Sequence, residues 1–80
     1  MKDGGMAIKT LSPEILIFTL SNKPEVDEFE HLWQRLNSGY QSNVIIDFGK
    51  VKILTSEIIC ELMLLNESIS ASGYQLILCN

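Results

Sequence analysis

Eighty residues with 46% apolar and 20% charged side chains are enough for one globular domain and argue against intrinsic disorder. Six Lys and Arg against ten Asp and Glu give a formal charge of −4, and the bases are scattered; this excludes general nucleic-acid binding and disfavours an anionic membrane surface. The longest apolar stretches, Ile15 to Phe18 and Leu62 to Leu65, fall far short of the ~20 residues of a membrane span, and Met1-Lys2-Asp3-Gly4-Gly5 leads into no secretory core, so a cytoplasmic location without membrane insertion is expected.

Residues 1–5, with Gly4 and Gly5, read as a flexible end to a single domain spanning 1–80. Met6 to Thr10 and Glu14 to Ser21 read as two strands, the second rich in β-branched and aromatic residues. Ser12-Pro13 between them is turn chemistry, so a hairpin is the economical connection. Asn22-Lys23-Pro24 punctuates the next junction, with Pro24 expected near the first helical turn. Glu25, Asp27 and Glu28 place negative charge where a helix macrodipole favours it, and Val26, Phe29, Leu32, Trp33 and Leu36 recur at three- and four-residue steps. Gly39 suits a left-handed cap at the end of that helix.

Asn43 to Phe48 holds Val-Ile-Ile without alternation, which predicts a central strand covered on both faces. After the loop Gly49 to Leu54, a second helix is expected from Thr55 or Ser56 to about Ser72, with Gly73 as its C-cap, and Tyr74 to Cys79 as the last strand. The fold class is therefore α/β in the order β-β-α-β-α-β: a mixed, mostly parallel four-stranded sheet packed with two helices through right-handed crossovers.

The second helix is apolar most of the way round, through Ile58, Ile59, Cys60, Leu62, Met63, Leu64, Leu65 and Ile69. Such a helix is buried on more than one side, and in a small domain that points to a partner as readily as to the core. At its start, Thr55 and Ser56 lie where backbone N–H groups lack partners, so either hydroxyl suits an N-cap. A phosphate there would meet the same donors and the positive dipole end. Cys60 and Cys79 lack a CxxC spacing; two buried thiols in a reducing compartment are expected, with no metal and no cofactor.

The run from Asp47 to Leu62, DFGKVKILTSEIICEL, resembles the central signature of STAS domains, the anti-sigma-factor-antagonist family. In that family a strand ending in Asp leads through a short loop to a Ser that opens a Leu-rich helix; a Gly and an apolar strand follow, as Gly73 and Leu76 to Asn80 do here. The resemblance covers most of the chain. It implies a docking module that binds an anti-sigma factor, often a serine kinase, and is released when that kinase phosphorylates the helix-opening Ser, here Ser56. It also implies that Thr55, Glu57, Ile58, Ile59 and Asp47 meet the partner.

Thr55 stands at the family's usual Asp, Glu57 at a commonly small residue and Ile58 at a usual Gly. These departures favour the alternative of a non-phosphorylated STAS scaffold or docking subunit in a signalling or transport complex. Family members also continue into one more helix after the last strand; with the chain stopping at Asn80, self-association through exposed sheet or second-helix surface is expected. An enzyme is not expected. His31 is the only histidine, in the first helix, and no nucleophile-base set or Gly-rich phosphate loop can be assembled. Asp47 at a strand end is the best lone acid and reads as a cap for the loop after it.

Overall fold

The computed structural model describes residues 6–39 and 42–80. The expectation of a loose end at residues 1–5 lies outside them. The order is β1 (Ala7–Ser12), β2 (Ile15–Thr19), α1 (Val26–Asn37), β3 (Asn43–Asp47), α2 (Ser56–Ala71) and β4 (Leu76–Cys79). The strands lie side by side in chain order, β1 antiparallel to β2 and the other pairs parallel. This is the mixed α/β sheet expected from the switching periodicity.

The hairpin closes over Pro13 and Glu14, with Ser12 opposite Ile15 and a register break between Thr10 and Ser12. The Ser12 hydroxyl accepts the Glu14 N–H at 3.3 Å. Helix α1 starts later than expected. Its N-cap is Glu25, and Pro24 sits buried ahead of it. The Glu25 N–H donates to the Glu28 carboxylate at 3.3 Å, a reach-back that satisfies one orphan group of the helix start. The same carboxylate accepts the Ser21 N–H at 3.2 Å and the Ser21 hydroxyl, so Glu28 locks β2's exit to α1.

Helix α2 ends as the sequence indicates. Gly73 has φ +88°, its N–H donates to the Ser70 carbonyl, and the Tyr74 N–H donates to the Ile69 carbonyl. These two bonds make a Schellman ending, which calls for the left-handed backbone that glycine adopts without a Cβ penalty.

One core holds both helices against one face of the sheet. Leu16, Phe18, Leu20, Val44 and Ile46 meet Phe29 and Leu32 of α1 and Ile58, Leu62, Leu65 and Ile69 of α2. Phe18 and Phe29 pack edge to face with centroids 5.4 Å apart, the favoured arrangement for two ring quadrupoles. The expectation of a β3 covered on both faces is corrected: Val44 and Ile46 are buried, but Asn43, Ile45 and Asp47 are only half-buried. Strands added in chain order by right-handed crossovers put both helices on the same side. The opposite face stays open along the row Lys9, Ile17, Ile45 and Ile77.

The expected pair of buried thiols is also corrected. Cys60 is exposed, Cys79 is half-buried, and both are free. The core stripe of α2 is Ile58, Leu62, Leu65 and Ile69, and Cys60, two residues from Ile58, falls on the outer side.

Candidate functional site

Both helices begin at the end of the sheet where the parallel strands finish, the place where ligands and partners of open α/β sheets gather. A shallow cleft there is lined by Lys23, Glu25 and Asp27 from the start of α1 and by Thr55, Glu57 and Ile58 from the start of α2. Three carboxylates against one ammonium make this end acidic.

Thr55 takes the capping role. Its backbone is extended, at φ −97° and ψ 163°, and its hydroxyl accepts the Ile58 N–H at 3.4 Å. Ser56, the first helical residue, is exposed, as are Thr55 and Glu57 on either side. Glu57 lies in the first turn, where the macrodipole favours its charge. Ile53, Leu54 and Ile59 surround this tip as large apolar side chains, 53%, 45% and 44% exposed. The helix start thus combines a free-standing hydroxyl, one carboxylate and an apolar rim.

Two expected contact residues are placed differently. Ile58 is 1% exposed and belongs to the core, so it fixes the helix start and presents nothing to a partner. Asp47 is engaged within the chain. Its Oδ1 accepts the Gly49 N–H and the Asn80 side-chain amide, each at 2.8 Å. These bonds, the Asn80 amide first and then the Gly49 N–H, with Lys50 nearby, hold its carboxyl below the ordinary aspartate range. Asp47 therefore ties the β3–α2 loop to the end of β4, the capping role read for it from its strand-end position.

The loop is fastened at further points. The Val51 N–H donates to the Phe48 carbonyl at 3.0 Å, and the Lys52 N–H to the Asn22 carbonyl at 2.8 Å. Across the helices, the Trp33 indole N–H donates to the Glu61 carboxylate at 3.1 Å. In the sequence Trp33 reads only as part of an apolar stripe and Glu28 only as helix-start charge. A Glu at the third helical position was the available signal for Glu28; nothing local pairs Trp33 with Glu61, 28 positions away.

His31 is exposed on α1. Among the described residues no three His, Cys, Asp or Glu side chains are grouped to hold a metal ion, and no helix is long and apolar enough to cross a membrane. The fold and this tip define a small α/β domain with an exposed hydroxyl at a helix start. Compared with protein-family models, curated proteins and solved structures, the chain matches none.

Proposed function

We propose that this chain is a regulatory docking module of the STAS type, which binds an anti-sigma factor or serine kinase through the tip of α2 and is switched by phosphorylation of Ser56. The observation that carries the reading is the division of labour at the helix start: Thr55 supplies the cap while Ser56 stands exposed beside it. A hydroxyl that holds no structural bond can be modified without unravelling the helix. The phosphate, with a charge of about −1.5 to −2, would be tolerated by the positive dipole end. It would also add to the carboxylates of Glu25, Asp27 and Glu57. An apolar or acidic partner seated on Ile53, Leu54 and Ile59 would then be repelled.

The test is phosphate transfer from ATP in an extract of the cells that make the protein, with the site mapped by mass spectrometry. The expected result is one phosphate on Ser56, absent in Ser56→Ala. Unmodified Ser56 alongside an active extract contradicts the switch.

The second reading is an unswitched scaffold of the same fold. It is favoured by Glu57, whose fixed charge already occupies the helix start, and by an apolar rim that needs no phosphate to bind. In that case Ser56→Ala and Ser56→Asp bind the partner equally.

A further inference from the structure

The end of the molecule opposite the Ser56 tip holds a cavity of about 80 Å³. Both helices finish there, α1 running out through Gly39 and α2 capped by Ser72, while Ser42 and Tyr74 lead into β3 and β4 beside them. Leu36 and Ile69 are its apolar lining. The other side chains that line it, those of Ser42, Ser68, Ser72 and Tyr74, carry hydroxyls. Among the described residues no ionised side chain faces it.

Ser42 is the group that calls for a ligand. The residue is 2% exposed, and its Oγ has no hydrogen-bond partner among the described residues. Buried hydroxyls are nearly always bonded, because an unmade bond leaves the full desolvation cost standing. No other side-chain atom of the described residues is in that condition. Ser72, by contrast, is exposed, and its hydroxyl donates to the Ser68 carbonyl at 3.3 Å. A serine hydroxyl has one hydrogen, so this bond leaves Ser72 Oγ with only lone pairs to offer. The cavity therefore runs from an orphan oxygen on its floor to an acceptor oxygen at its mouth.

The local field selects the ligand. A helix C-terminus is the negative pole of its dipole, and two of them meet here. Helix α2 has no basic residue in its last turn. Helix α1 has Arg35, whose guanidinium donates to the Thr10 hydroxyl on β1 at 3.5 Å and does not line the cavity. An anion is repelled. A divalent cation favours carboxylate oxygens, and none is present in the lining. What remains is a set of neutral oxygens at helix C-terminal ends, the surroundings in which proteins hold alkali cations.

We propose that this cavity binds a monovalent alkali cation, sodium or potassium, with Ser42 Oγ and Ser72 Oγ as ligands and water completing the shell. At ~30 Å³ per water in the liquid, the space admits the ion and one or two waters. The ion satisfies Ser42, balances the negative ends of both helices and ties them to the start of β3. A chain of net charge −4 also concentrates cations around itself. The site lies away from the tip of α2, so its fate and that of the Ser56 switch are independent.

Thermal unfolding of the 80-residue chain decides it, in sodium, potassium or choline chloride at one ionic strength of about 0.15 M. Sodium or potassium should raise Tm by about 5 °C over choline, which is too large to enter, and the larger rise names the ion. Ser42→Ala should lose that rise, and in choline chloride it should melt no lower than wild type, because it removes an unpartnered polar atom. Ser72→Ala, at an exposed position, should lose most of the rise too, and it reads out the proposal even where Ser42→Ala fails to fold. Ser70→Ala, in the same turn but outside the cavity lining, should keep it. Equal melting in the three salts would mean that water alone fills the cavity, and would overturn the proposal. A rise undiminished in both Ser42→Ala and Ser72→Ala would place the ion elsewhere and overturn it as well.

Discussion

The Thr55 hydroxyl lies 3.4 Å from the backbone nitrogen of Ile58, and this contact assigns the helix cap to one of two adjacent hydroxyls. Ser56, next along, is exposed at the first helical position. Removing each hydroxyl should therefore have different consequences. Thr55→Ala should cost about 1 kcal/mol, the usual worth of an N-cap, and Ser56→Ala should stay within about 0.5 kcal/mol of wild type. Urea unfolding followed by circular dichroism measures both. Equal losses would mean that the cap is shared.

Asp47 sets an acid limit on stability. Its carboxyl is held below the ordinary range by the Asn80 amide and then the Gly49 N–H, so the folded state prefers the ionised form. The stabilisation is fully present above the unfolded value of about 3.9 and fades as pH falls through the lower folded value. Melting temperature recorded from pH 6 to pH 2 should drop in that window, and Asn80→Ala should make the drop shallower. An unchanged acid limb in Asn80→Ala would remove the amide as its cause.

Trp33 and Glu61 join the two helices through one side-chain bond. Trp33→Phe and Glu61→Ala should each destabilise by about 0.5–1.5 kcal/mol, and the double variant should lose less than the sum. A double-mutant cycle from denaturant midpoints checks this; additive losses would show that the pair does not couple.

The core tolerates little. Phe29 is fully buried against Phe18 and lies on the short α1. Phe29→Ala should cost about 3–5 kcal/mol, comparable with the ~5 kcal/mol at the low end of domain stability. Loss of the cooperative thermal transition is the expected readout. Phe29→Leu, which keeps most of the volume, should retain it.

The order of elements was legible because strand and helix periods differ and because Pro13, Gly39 and Gly73 mark junctions. Which faces are covered was not. Val-Ile-Ile in β3 reads the same whether helices cover one face or two, and only the common side of both crossovers decides it. In α2, Ile58 and Ile59 both belong to stripes at helical spacing. Packing chose Ile58, Leu62, Leu65 and Ile69 for the core, which left Ile59 and Cys60 outside. At the candidate site, the position of Ser56 could be read from the sequence, but the roles of Asn80, Glu28 and Glu61 rest on contacts between distant segments.

The central claim is that charge placed on Ser56 controls docking. The direct measurement compares the chain carrying phosphoserine at position 56 with the unmodified chain, both immobilised and exposed to extract of the cells that make it, with bound proteins quantified by mass spectrometry. The account predicts that a serine kinase of the anti-sigma type is retained by the unmodified chain and reduced at least tenfold on the phosphorylated one. Retention of the same proteins in equal amounts by both forms would contradict it.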